Sequence, residues 1–170
     1  LPYKPIYSAS FLILFIDFLL ISFVVWADLK CHFKHFFYKH LYFILIVAFS
    51  VFAIHLNIQV VGDSLNVDRW SAMEFGIRAL LKGEYPYSVI DHLGGRTSNL
   101  PTLFLMGMPF YLIGSVGYFQ VFGFWVFAFV LYLAFDNYRD RLFGLVLLIL
   151  SPSFLWEIYV KSDLISNFII

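Results

Sequence analysis

The chain has 170 residues, 62% of them hydrophobic, 22% aromatic and only 13% charged, with a mean hydropathy of +0.86. Soluble domains carry about 25% charged residues, so the composition excludes an ordinary water-soluble domain and points to an integral membrane protein. Zero net charge and a pI near 7.1 exclude the global basic excess of a nucleic-acid binder, and a lone cysteine, Cys31, excludes an internal disulfide.

A span needs about 20 apolar residues. The first candidate is Ile6 to Ala27, longer than a signal-peptide core and carrying Asp17 at its middle. An ionisable group at that depth is costly unless it faces protein or water, and helix packing is the simpler of its two readings, an ion path the other. A basic stretch, Asp28 to His40, follows with Lys30, Lys34 and Lys39 beside His32, His35 and His40. The histidine spacing allows a metal site, but interfacial snorkelling beside Phe and Tyr is the plainer expectation. The second span is predicted at Leu41 to Val61, with His55 packed near its outer end.

Residues 63 to 100 then concentrate the acids, bases and turn residues that the rest of the chain avoids. Within them Asp68 to Lys82 reads as a helix in the interface plane, with Asp68 at the N-cap and Gly83 as the stop. Trp70, Met73, Ile77, Leu80 and Leu81 recur on one side, while Glu74, Arg78 and Lys82 stack at i, i+4 on the other. The Gly, Pro and aromatic residues that follow suit a rigid irregular loop over a cavity. Pro101 to Ile113 is too short to span and contains Pro109, which fits a re-entrant or interfacial helix. Spans are expected again at Tyr118 to Phe135 and at Leu142 to Val160, the latter with Pro152 and Glu157 inside, and another begins at Leu164. The chain starts at Leu1 and stops at Ile170 within an apolar run, which suggests the N-terminal portion of something longer.

Short basic loops stay on the cytoplasmic side. Placing both Asp28–His40 and Asp136–Arg141, the latter with Arg139 and Arg141, inside requires that residues 101–113 do not cross. Residues 63 to 117 and Ser151 to Asp163 then share the extracytoplasmic face. The expected fold class is therefore an all-α, multi-pass integral membrane protein with an extracytoplasmic loop built on an interfacial helix.

The run Asp68-Arg69-Trp70, Gly83 at the far end of the helix and then Glu84-Tyr85-Pro86-Tyr87 resembles the first extracytoplasmic loop of GT-C superfamily glycosyltransferases, among them the protein O-mannosyltransferases and aminoarabinose transferases. The likeness continues through Asn99-Leu100-Pro101 and through Ser151-Pro152 with Lys161-Ser162-Asp163. It covers residues 41–170 as the N-terminal part of a GT-C-like catalytic module and leaves residues 1–40 as an extra N-terminal helix and basic loop. The resemblance implies transfer of a sugar from a polyprenyl-phosphate donor at an inner cell membrane, extracytoplasmic face, or at an endoplasmic reticulum membrane if the source is eukaryotic. It implies Asp68 as general base, with Asp63 in reserve, and Tyr85, Tyr87, His92 and Asn99 at the substrate.

That chemistry needs cations for the departing phosphate. Arg96, Lys161 and Arg69 are the candidates in the predicted topology, with Arg78 on the same helix; each also has a plain reading as a partner of acids or lipid phosphates. Asp163 is a catalytic candidate beside Asp68, and the two carboxylates together would suit a divalent cation. No spacing in the sequence decides for or against a metal. No cofactor is certain, the acceptor is unknown, and no nucleic-acid partner is expected. His92 also has a plainer role open to it, a hydrogen bond that stabilises the loop. A transporter or lipid flippase using Asp17, Glu157 and Asp163, and a non-catalytic subunit, are the rival classes; no Walker, Rossmann, GxSxG or HExxH pattern is present.

Overall fold

The computed structural model describes residues 6–30 and 35–162. Among them the fold is all-α: α1 (Ile6–Lys30), α2 (His35–Gln59), α3 (Arg69–Leu81), α4 (Pro101–Leu112), α5 (Tyr118–Ala134), α6 (Tyr138–Leu150) and α7 (Pro152–Tyr159). An antiparallel bridge pairs Ile90 with Arg96.

Two cores organise these helices. The larger lies between α2, α5, α6 and α7, where Tyr42, Phe49, Phe124, Leu145, Phe154 and Ile158 are buried together. Phe49 and Phe124 meet at 4.7 Å between ring centroids, and Phe49 stacks on Phe154 at 5.5 Å. The outer faces of the same helices stay apolar and exposed, as at Ile44 (61%), Val47 (63%), Phe129 (60%) and Leu133 (67%). α1 rests on α6 and α7. The smaller core joins α3, α4 and the start of α5 through Met73, Ile77, Leu103, Phe104, Val116 and Phe119. Here Gly76 faces the Phe104 ring and Gly107 faces Met73, so neither position has room for a Cβ and the two helix backbones lie close.

Several helix boundaries depart from the sequence expectation. Within the basic stretch Asp28–His40, α1 runs on to Lys30 and α2 starts at His35. His40 accordingly sits in the second turn of α2, its Nδ1 2.8 Å from the Phe36 carbonyl. Cys31, His32 and Lys34 lie outside the described residues, as do Asp163 and the apolar run after it. His55 is exposed, not packed. The expected span Leu142–Val160 is two helices bent by 60°, since Pro152 lacks the N–H that would continue α6 and Ser151 caps the new helix by accepting from Phe154 N. Arg139 and Arg141 belong to the first turn of α6, not to a loop. Arg141 is buried, donates to the Phe135 carbonyl (2.7 Å) and lies over the Tyr132 and Tyr138 rings.

Among the described residues, α2 from Phe36 to Gln59 is the one helix long and apolar enough to cross a membrane alone; α6 with α7 would add a second if the bent pair is one span. Pro101–Leu112 and Tyr118–Ala134 are shorter apolar helices.

Candidate active site

α3 starts and stops where its sequence demands. Gly83 adopts φ +75°, its N–H bonds the Leu80 carbonyl, and the Glu84 N–H bonds that of Ala79, the paired bonds that end a helix on a left-handed glycine. At the other end Asp68 holds the N-cap position, but its backbone is already helical (φ −80°, ψ −13°) and its side chain caps nothing. The expected capping role is therefore not used, and the exposed carboxylate is left for other contacts. Of the predicted apolar stripe, Met73 and Ile77 are buried and Trp70 and Leu80 half-buried, whereas Leu81 is 47% exposed at the final turn. Lys82 follows the helix as its C-cap.

A hairpin-like turn faces the start of α3. Asp91 is buried and its Oδ1 accepts from Leu93 N (2.8 Å) and Gly95 N (3.0 Å), while Asp91 N donates to the Gly95 carbonyl (2.8 Å). A Cβ at Gly95 would stand 2.6 Å from Asp91 Oδ2, so this position needs glycine. The turn delivers the segment Arg96 to Leu100 back against α3. Thr97 Oγ1 donates to Asn99 Oδ1 (2.9 Å) and Tyr87 Oη donates to the Asn99 carbonyl (2.9 Å). Pro101 then begins α4.

Between these parts lies a cleft of about 260 Å³ lined by Asp68, Arg69, Ala72, Arg96, Ser98, Asn99, Leu100 and Leu103. Four residues expected at the site, Asp68, Arg69, Arg96 and Asn99, thus line one cleft. Its rim holds a carboxylate and two guanidinium groups; its floor is the buried Ala72, Asn99 and Leu103. Such a lining can take an anion at the guanidiniums and leave a proton acceptor beside it.

The structure does not bring the remaining candidates to that cleft. At about 100° per residue, Trp70 and Glu74 leave α3 on the side away from Asp68 and Ala72. Lys161 belongs to that far side, 5.9 Å from the Trp70 ring. Burial holds the Lys161 ammonium below its ordinary pKa, against the attraction of Glu74. Burial likewise raises the Glu74 carboxyl, opposed by Arg78, with which it closes an ion pair at 3.1 Å. Asp63, in the turn Gly62–Ser64, adds its field to Glu74 and does not line the cleft. Lys161 also carries φ +54°, a conformation costing roughly 1–3 kcal/mol outside glycine. It is held there by buried Gln120, whose Nε2 donates to the carbonyls of Glu157 and Ser162.

Tyr85 is 69% exposed with its ring tilted against that of Tyr87, and Tyr87 donates to the Asn99 carbonyl; neither lines the cleft. His92 is not at the cleft wall either: Nδ1 is 2.5 Å from Ser71 Oγ and Nε2 2.8 Å from the Leu65 carbonyl. The loop-stabilising role expected as its plainer reading is the one observed. Among the described residues no three His, Cys, Asp or Glu side chains gather as a metal site; the Asp68–Asp163 pair lies partly outside them. Sequence reasoning missed Ser98 on the cleft wall and the organising roles of Asp91, Ser71 and Gln120. An Asp four residues before a Gly in a turn-rich stretch is a signal by which Asp91 could have been found.

Comparison with known proteins returned no match from family models, from curated proteins or from solved structures.

Proposed function

We propose that the protein is a multi-pass membrane glycosyltransferase, similar to the GT-C superfamily, that moves a sugar from a polyprenyl-phosphate donor to an acceptor on the extracytoplasmic face. The observation that carries this reading is the convergence of Asp68, Arg69, Arg96 and Asn99 on one cleft beside helices with apolar outer faces. In the proposed step the Asp68 carboxylate takes the proton of an acceptor hydroxyl or amine. The acceptor oxygen or nitrogen bonds the anomeric carbon, the bond from that carbon to the phosphate oxygen breaks, and its electron pair leaves with the polyprenyl phosphate. Arg69 and Arg96 stand where they can offset the developing charge.

The topology supports the same reading. α4 has 12 residues, about 18 Å at 1.5 Å per residue, against a hydrocarbon core of about 30 Å. Gln120 at the start of α5 bonds the end of α7, so residues 63–117 and the end of α7 lie at one end of the bundle, the end opposite the basic residues Lys39, Arg139 and Arg141. A divalent cation held by Asp68 would be compatible with this scheme and is not required by it.

The test is glycosyl transfer from radiolabelled polyprenyl-phosphate sugars by the full-length protein in liposomes, wild type against a folded Asp68→Asn variant. A loss of about a hundredfold or more is expected on removing a general base; no turnover with any lipid-linked donor would overturn the reading.

A transporter or flippase is the second reading, favoured by the 60° break at Pro152 and by Glu157 Oε2, buried without a hydrogen-bond partner in the α7 that follows it. Lipid or ion flux in the same liposomes, lost in Glu157→Gln and retained in Asp68→Asn, would select it.

A further inference from the structure

We infer that His92 is a positioning residue that sets Arg96 against Asp68 across the cleft. The inference rests on the proposed anion-binding role of that cleft. Three chain segments meet on the His92 ring. The ring itself belongs to the turn that carries Arg96; Nδ1 meets Ser71 in the first turn of α3; and Nε2 meets the Leu65 carbonyl in the segment that leads into α3.

The Leu65 carbonyl can only accept, so Nε2 carries a hydrogen; the one Ser71 hydroxyl hydrogen is shared between His92 Nδ1 and the Asp68 carbonyl. Ser71 Oγ is also 3.0 Å from the Asp68 carbonyl, which places the base residue's own backbone one bond from the ring. Ser71 is wholly buried and His92 half-buried, so the pair is shielded from water and the hydroxyl is unavailable as a nucleophile. Both ring nitrogens are occupied, which also removes His92 from direct contact with substrate.

What the ring holds in place is the Arg96 side of the cleft. Asp91, one residue before it, closes the turn by accepting from Leu93 and Gly95, and the Ile90–Arg96 bridge clamps the two arms. The turn is thereby stiff, and His92 ties it to α3, while Tyr87 bonds the Asn99 carbonyl at the other end of the arm. Loss of the His92 contact loosens the turn end of the arm, and Arg96 with it. Arg96 is exposed, so its position relative to Asp68 depends on the backbone that carries it.

Three substitutions separate the two bonds. His92→Gln places an amide nitrogen where it can still donate to Leu65 while losing the bond to Ser71; His92→Asn keeps a short polar group toward Ser71 while losing the Leu65 bond; Ser71→Ala removes the hydroxyl from the other side. The first readout is amide hydrogen exchange on the full chain in lipid nanodiscs. His92→Gln and Ser71→Ala should speed exchange about tenfold or more at Asp91, Gly94 and Gly95, as local opening does, with α4 and the bundle unchanged. Acceleration spread evenly over α3, α4 and the bundle, or none at all, would overturn the assignment. The second readout is binding of farnesyl phosphate, with inorganic phosphate alongside to separate lipid from free-phosphate recognition. His92→Gln should weaken binding about tenfold in wild-type background and add almost nothing to Arg96→Ala, since residues acting through one another are not additive. Additive effects would sink the positioning role even if the exchange result holds. If the wild type captures no prenyl phosphate, the transferase reading fails on its own, and the exchange pattern still decides whether His92 docks the arm.

Discussion

The α2, α5, α6 and α7 bundle and the cap made of α3, α4 and the turn between them are built on opposite principles. The bundle is aromatic and aliphatic inside and apolar outside, with few polar staples, such as Tyr42 Oη to the Ala128 carbonyl (2.5 Å) and Trp125 Nε1 to Ser50 Oγ (2.7 Å). The cap has a small apolar core under a layer of turns whose shape depends on Asp91, His92, Ser71 and Thr97. Packing alone can define a helical bundle, because side-chain volume fixes how helices meet. A charged cleft needs directed bonds, because exposed Asp68 and Arg96 have no packing to hold them.

The largest expected effect lies in the bundle core. Phe124→Ala should cost about 3–5 kcal/mol and lower the thermal unfolding temperature of the whole protein. Phe104→Ala, in the cap, should instead open α3 and α4 locally while the bundle persists; a single coincident transition in both variants would erase the distinction between the two regions.

Next comes the joint between them. Gln120→Leu removes the side-chain donor that ties α5 to the Glu157 and Ser162 carbonyls, the former keeping its bond from Ser162 N, and should cost about 1–3 kcal/mol with faster proteolysis confined to the end of α7. Gly83→Ala should cost about 1–2 kcal/mol, the penalty of a left-handed L-residue, read as fraying of the last turn of α3 by hydrogen exchange.

The smallest effect is a pH slope on the far side of α3. Lys161 has a folded pKa below its ordinary 10.5, so between those two values the unfolded chain binds more protons and stability rises with pH. Glu74 has a folded pKa above its ordinary 4.5; its contribution is full below 4.5 and is lost as pH rises through the folded value. Lys161→Met should flatten the alkaline rise and leave the acid-side fall. A melting-temperature series over pH in both proteins checks this, and an unchanged alkaline slope in Lys161→Met would remove Lys161 as its source.

Much of the local structure was legible from residue order. The end of α3 at Gly83, the short α4 opening on Pro101 and the apolar α5 follow from glycine and proline geometry and hydrophobic run length, which act within a few residues; α3 does start after Asp68, but without the side-chain cap expected there. Boundaries failed where a local rule had a competitor. Lys39 and Arg141 read as loop charges, yet both lie within helices, and Arg141 is buried between tyrosines. Pro152 was visible inside a predicted span, but only the 60° bend shows that it divides the span into two helices.

By itself the sequence determined that the chain is helical, that its helices are apolar, and that a long polar interval separates α2 from α5, because period, composition and end signals are properties of neighbouring residues. Tertiary structure alone decided which charges meet. Asp68 and Arg96 are far apart in the chain and share a cleft, while Asp63 and Lys161 belong to the other side of α3 from Asp68. The sequence holds no measure of helix thickness or of the docking of a turn, and those two lengths separate the cleft's residues from the rest.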